Sequence, residues 1–583
     1  MITSNHMRKS EVGDVRPSQT LTSFGIGSLV DLPNMSVIVM GLDDWPYTHS
    51  NEIAEERLLR SAQSILGSQV ARFLTPPRGP ETNAAHTNWF DDSRLIGIPV
   101  APFPRWMVCS RCRLLAPISS RLFEPKVVPY RPDRACYEHN CGRKEGEKTS
   151  RPALVVPARF AVTCEHGHLD DFPWVEFVHQ GASDCPKGLL YLYEVGASGE
   201  ALHVEVKCEG CGRKRRVGQS FGPNNRTVMP ACRGRRPHLR DFDPSGCDQD
   251  HVKPILQGAS NLWFPVLISA LSVPQASDDL GGLIEDNWVV LEKAASLDVL
   301  KAFRLIGQLK DLSKYSDDQI WEAIQKKHQG AEGEVEDPDD LKSPEWKVFS
   351  NPETAKASRT FKLRTVEPPT DFAQYFEKIV LVEKLREVQA LVGFTRILSP
   401  RDFDSAAELP PQNRAKISRK DPTWLPASET RGEGIFFQFS EPLLRDWVKR
   451  NRAFDREFEA GHQIWRAGKH LDPNKGYPGI RYVLLHTFAH ALIRQLAIEC
   501  GYTSASIAER IYSRNPTDGD PMAGVLIYTA APDSEGTLGG LCALGETDKL
   551  GRHIRRALEK MGLCASDPFC SELYFPRFPY SSP

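Results

Sequence analysis

Cys109-Ser110-Arg111-Cys112, followed downstream by Cys136-Tyr137-Glu138-His139-Asn140-Cys141, reads as two halves of a metal site. Two cysteines two apart in a turn aim both thiolates at one point, and a second pair closes a tetrahedron around zinc. The expected ligands are Cys109, Cys112, Cys136 and Cys141. Cys208-Glu209-Gly210-Cys211 repeats the first half, with Gly210 and Gly212 permitting the tight turn. Cys232 and Cys247 are the nearest cysteines to complete it. Sites closed by four cysteines leave no coordination position for water, so this zinc is expected to be structural.

Working outward, ten of the 14 cysteines lie between Cys109 and Cys247. Metal ligation is the expected use of clustered thiols in a reducing compartment, where disulfides are rare. That compartment is the expected one. No apolar run spans a bilayer, and the polar segment Met1 to Arg16 lacks a secretory apolar core, so a cytoplasmic location with no membrane contact is expected. Cys164, His166 and His168, with Cys185, are further metal candidates. The plainer reading of Cys164-Glu165-His166-Gly167-His168 is a buried cysteine and hydrogen-bonded histidines in a tight turn.

With 583 residues the chain exceeds one hydrophobic core. A mixed α+β, multidomain fold is expected. Residues 1–104 form an N-terminal α/β region, and 105–265 a zinc-stabilised module of loops and short strands. Residues 266–400 are mainly helical, 401–470 a linker and strand, and 471–583 a C-terminal α/β unit. Gly434 to Phe439 and Ala523 to Ala530 read as strands, and Gly479 to Ala497 as a helix.

The net charge of −2 excludes a whole-protein basic field. Nucleic acid would have to meet a local patch, for which Arg213, Lys214, Arg215, Arg216, Arg233, Arg235, Arg236 and Arg240 are the candidates. No Gly-x-x-x-x-Gly-Lys-Ser/Thr loop occurs, so the chain is not expected to turn over ATP as a P-loop motor. Gly25 and Gly27 in SFGIGSL lack the third glycine of a dinucleotide loop.

His486-Thr487-Phe488-Ala489-His490 puts two histidines one helical turn apart. It resembles a metalloprotease helix but has Thr487 where the catalytic glutamate would stand. With Asp533 and Glu535 the pair makes a candidate hydrolytic site. The alternative is histidines that satisfy buried carbonyls and an aspartate that caps a helix.

Several strings together are recognisable: RPSQTLTSFGIGSLVDLP (Arg16 to Pro33), GLDDW (Gly41 to Trp45), CEHGHLDDFPWVEFVH (Cys164 to His179), GASNLWFPVLISALSVP (Gly258 to Pro274), LREVQALVGFTRI (Leu385 to Ile397) and HTFAHALI (His486 to Ile493). They resemble the DrmB-type components of DISARM antiphage systems over nearly the whole chain. The C-terminal part is similar to a helicase-associated domain of uncharacterised function. The resemblance implies a non-motor accessory subunit that binds a DrmA-like helicase, meets DNA through that complex and takes no small-molecule substrate. It also implies a C-terminal zinc site. Cys564 and Cys570 are its candidate ligands, but the further cysteine-rich string expected after them is replaced by SELYFPRFPYSSP. A cryptic hydrolase or nuclease and a stand-alone sensor of DNA ends or modification are the alternatives.

Overall fold

The computed structural model describes residues 15–79, 96–128, 134–141, 151–181, 185, 188–194, 203–222, 225–274, 284, 287–294, 296–307, 309, 312–313, 315–328, 337–338, 340–400, 403, 408–469, 471–500, 506–529 and 540–562. Two compact units divide the chain: residues 1–269 with 389–428, and residues 270–388 with 429–583. The architecture is mixed α+β with several sheets.

The first unit is built from short strands. Among the described residues, eight of them form one antiparallel sheet in the spatial order Lys214–Arg216, Val204–Cys208, Leu190–Glu194, Leu114–Pro117, Trp106–Cys109, Ala153–Pro157, Cys136–His139, Glu124–Lys126. A second sheet places Phe160–Thr163 between Leu169–Asp171 and Lys253–Leu256. Both CxxC segments sit at hairpin turns of the large sheet. Cys109 to Cys112 joins Trp106–Cys109 to Leu114–Pro117, and Cys208 to Cys211 joins Val204–Cys208 to Lys214–Arg216. The aromatic core between them is small, with Phe172, Trp174 and Phe177 fully buried and the Phe172 and Trp174 rings 4.4 Å apart.

Several of the recognisable strings converge on one side chain in this unit. Arg396 is completely buried. Its guanidinium donates to the carbonyls of Gly167 (3.1 Å), Leu262 (2.6 Å) and Gly27 (2.6 Å) and stacks over Phe394. Burial lowers its pKa to about 9, so it is still charged at neutral pH. Gly27 of SFGIGSL serves this packing. Gly27 has φ +80°, and a Cβ there would lie 2.5 Å from the Phe394 ring. Arg396→Met would strand three buried carbonyls. It is expected to destabilise the first unit by roughly 3–5 kcal/mol, read as a shift in urea midpoint.

The second unit is a sheet covered on both faces. Its central strands alternate cleanly, as a pleated backbone requires. Ile435, Phe437, Val525 and Ile527 meet the helices Gly479–Cys500 and Thr547–Met561. Phe436, Leu526 and Tyr528 face the opposite way, onto Phe349 of the helix Lys342–Ser350. Residues 376–395 lie in the stretch expected to be mainly helical, yet form a 20-residue strand. Its Ile379-Val380-Leu381-Val382 run is buried on both faces, which favours β-branched residues over a one-sided helix. Among the described residues, α-helices of that stretch include Trp288–Leu291, Leu297–Leu305, Asp317–His328 and Lys342–Ser350, and Leu291, Leu300, Ile320 and Ile324 pack a small core of their own. No helix among the described residues is long and apolar enough to cross a membrane.

Candidate metal centres

Three clusters of three thiols and one imidazole form in the first unit, and each brings its four donor atoms within 4.8 Å of one another. A tetrahedral zinc holds sulfur at about 2.3 Å and nitrogen at about 2.0 Å, which places its ligands roughly 3.5–3.8 Å apart. The donor separations, 3.4–3.9 Å, lie close to that edge length.

Cys109, Cys112, His139 and Cys141 make the first cluster. Cys109 Sγ lies 3.5 Å from Cys141 Sγ, and Cys112 Sγ lies 3.4 Å from His139 Nδ1. Cys136, expected as a ligand, is not in this cluster, and strand parity gives the reason. Along Cys136–His139, Tyr137 and His139 project to one face and Cys136 and Glu138 to the other. Tyr137 packs with Cys112 and Cys141, whereas Glu138 is paired with Lys126 at 2.8 Å. Burial opposes ionisation of Cys109, but the N–H groups of Cys112 and Arg111, with His139 and Cys141, pull its thiol down to about 7. Burial and the neighbouring sulfurs push Cys112 up to about 12. A cation between them would relieve that competition.

The second expected foursome is split. Cys208 and Cys211 join His179 and Cys185, with Cys185 Sγ 3.5 Å from Cys208 Sγ. His179 ends the short helix Trp174–His179. Its Nδ1 faces the Val175 carbonyl at 2.8 Å, which fixes the tautomer that leaves Nε2 as acceptor. That Nε2 is buried and has no hydrogen-bond partner among the described residues. It is the atom a metal would take.

Cys232 and Cys247 instead join Cys164 and His168. The turn Cys164 to His168 closes the hairpin between Phe160–Thr163 and Leu169–Asp171, with Gly167 at φ +77°. His168 Nδ1 lies 3.4 Å from Cys164 Sγ and 3.6 Å from Cys232 Sγ, and Cys164 Sγ lies 3.9 Å from Cys247 Sγ. On the far side of the ring, Nε2 faces Asp243 Oδ2 at 3.4 Å. Burial opposes the Asp243 charge, but the Ser245 hydroxyl and N–H, with His168, hold its carboxyl below the usual range. A carboxylate behind an imidazole is the support that orients metal-bound histidine. The shared hydrogen with Cys164 draws the Cys232 thiol down to about 4 against its burial, while Cys164 is driven up by that contact and by burial. Cys164 and His168, for which the sequence favours the plainer reading, thus both stand in a donor cluster. His166 stands outside the foursome. Its Nδ1 is 3.6 Å from Cys247 Sγ and 3.5 Å from the exposed Asp248.

The basic candidates separate into two groups. Arg235 and Arg236 are buried. Arg235 bridges Asp170 (2.5 Å) and Asp171 (3.0 Å), and Arg236 chelates Asp241 (2.9 and 2.8 Å). Arg233 is paired with Asp170, and Arg240 with Asp44 at 3.1 Å. All four expected phosphate-binding arginines are thus paired with aspartates, though the Arg233 and Arg240 side chains remain exposed. Nearby aspartates neutralise them, and two are inaccessible. Arg213 donates to the His179 carbonyl, and Arg215 donates to the Phe177 carbonyl and lies over its ring. Lys214 and Arg216 are exposed on the edge strand of the large sheet.

In the second unit, His486 and His490 share one face of the helix Gly479–Cys500, as their spacing predicts. Glu509 of the strand Ile507–Arg514 is the acid brought to them. Asp533 and Glu535 lie outside the described residues, as do Cys564 and Cys570. Cys542 is buried, with Sγ 3.4 Å from the Val382 carbonyl, and belongs to no donor cluster among the described residues.

Sequence reasoning had the local pairs and missed two of the three histidines, His139 and His179. Parity of the strand was the available signal for His139. For His179 the signal was its position as the last residue of a short amphipathic helix beside Cys185.

Two family models match the chain. One, described as a domain of unknown function (DUF8724), covers residues 16–264, and the MrfA Zn-binding domain covers residues 488–573. The curated DISARM protein DrmB of Bacillus paralicheniformis is 32% identical over 567 residues, which span 93% of this chain and 91% of that protein.

Proposed function

Because the chain belongs to the DrmB family of DISARM proteins, we propose that it serves antiphage defence as a zinc-stabilised accessory subunit without a motor of its own. The observation that carries this reading is the donor set of the first unit. Three Cys3His donor clusters suit structural zinc, whose closed tetrahedra offer no position for a reacting water. They would fix hairpins and a helix end around a small aromatic core, giving a rigid platform. The absence of a P-loop from the sequence assigns ATP turnover to another subunit, and a DrmA-like helicase in the same cytoplasmic complex is the proposed partner. DNA would be met through that complex. Among the described candidates, Lys214, paired with Glu205 at 3.9 Å, and Arg216 on the edge strand would offer the charge for it, with the exposed Arg233 and Arg240 already paired with aspartates.

The test is to assay DNA-stimulated ATP turnover by the helicase with and without this chain. Addition is expected to raise turnover severalfold, while the chain alone shows none. Turnover unchanged by the chain would count against an accessory role.

A further inference from the structure

We infer that His486, His490 and Glu509 form a second kind of metal site, one that takes a divalent transition-metal ion and leaves coordination positions open to solvent. Strand alternation sets the argument. In Ile507–Arg514, residues Ile507, Glu509 and Ile511 point to the sheet face under the helix Gly479–Cys500. Ile507 and Ile511 enter the core there with Leu485, Ala489 and Leu492. A carboxylate between two core isoleucines costs free energy unless something compensates its charge. Among the described residues no lysine or arginine forms an ion pair with Glu509. Its neighbours are the two imidazoles that the helix presents one turn apart. His486 Nδ1 lies 2.6 Å from Glu509 Oε1, and His490 Nε2 lies 3.4 Å from the same oxygen. The imidazole rings are 4.4 Å apart at their centroids.

Two atoms show that a purely internal hydrogen-bond arrangement does not satisfy the cluster. Glu509 Oε2 and His486 Nδ1 are both buried, and neither makes a well-formed hydrogen bond among the described residues. The 2.6 Å approach has the distance of a bond but not its alignment. An ion placed among Nδ1, Nε2 and the carboxylate would use both atoms and neutralise the acid. Tyr482 stacks on the His486 ring at 5.8 Å and holds its orientation.

This set differs in kind from the thiolate clusters. It has two nitrogens and one carboxylate, the donors of open zinc and non-haem iron or manganese sites. The imidazoles of His486 and His490 are 37% and 47% exposed, so water or an anionic oxygen ligand can reach the remaining positions.

The test titrates the zinc-loaded full chain, dialysed free of loosely held metal, with Co(II). The wild type is expected to take up one equivalent with nitrogen/oxygen-type visible bands and no sulfur charge-transfer band. His490→Ala and Glu509→Gln should each weaken that uptake at least tenfold while keeping the circular dichroism spectrum and the thiolate-bound zinc. His490 is exposed enough that its replacement should not disturb folding, and the wild-type spectrum needs no variant. The inference is overturned if the wild type binds no such equivalent, or if both variants bind it as well as the wild type. Either result leaves the three cluster and accessory-subunit reading intact, because that reading rests on residues of the other unit.

Discussion

Cys232→Ser is expected to remove one zinc ion from the chain and to unfold the part of the first unit around Cys164–Asp171 and Lys253–Leu256. A structural zinc site contributes on the order of 10 kcal/mol of apparent folding free energy in small modules, comparable to the whole stability of a domain. Cys232 is tied into its cluster at two points, His168 Nδ1 at 3.6 Å and the Gly234 N–H at 3.4 Å. The strands it would release carry few large apolar side chains besides Phe160 and Ile255. Metal analysis and limited proteolysis of the variant read both consequences. Cleavage should concentrate between residues 160 and 256, with the second unit protected. A variant with the full zinc content and wild-type protection would show that this sulfur is only a buried thiol.

The second large effect lies in the other unit and involves no metal. Glu345 is completely buried in the first turn of the helix Lys342–Ser350. It accepts from Arg510 Nε (2.5 Å) and Nη2 (2.8 Å), from the Tyr512 hydroxyl (3.0 Å) and from the Leu271 N–H (3.0 Å). Every acceptor position of the carboxylate is used. Glu345→Met would leave Arg510 as a buried charge without its counter-ion. The expected loss is roughly 3–5 kcal/mol, visible as a fall in the denaturant midpoint of the second unit. Adding Arg510→Met should restore most of that loss, because an apolar pair of similar volume carries no desolvation debt. A double variant no more stable than the single one would mean that Tyr512 and Leu271, not the ion pair, dominate the network.

What was legible in the sequence was local. A CxxC turn brings its two sulfurs together whatever the rest of the chain does, so Cys109 with Cys112 and Cys208 with Cys211 needed no tertiary knowledge. The completing ligands come from strands and a helix whose positions are set by sheet order. Leu190–Glu194 pairs with both Leu114–Pro117 and Val204–Cys208, which brings Cys185 beside the second knuckle and leaves Cys232 and Cys247 to the hairpin at Cys164. Linear proximity favoured the wrong partners because hairpin registry, and not chain distance, sets which turns meet. Cys136 failed for a simpler reason, the two-residue period of a strand. The arginines misled because charge counts along a sequence do not reveal that Asp170, Asp171 and Asp241 fold against them. In the second unit the strands seen at Trp424–Phe439 and Met522–Thr529 and the histidine helix were legible from periodicity. Glu509 was not, since nothing local marks an acid between two core isoleucines as a partner for residues twenty positions upstream.

We propose that zinc in the three Cys3His clusters holds the first unit together. Zinc content measured on Cys136→Ser and Cys185→Ser beside the wild type tests it most directly. The wild-type count is predicted to persist in Cys136→Ser and to fall by one in Cys185→Ser. A loss at Cys136 with none at Cys185 would contradict the claim.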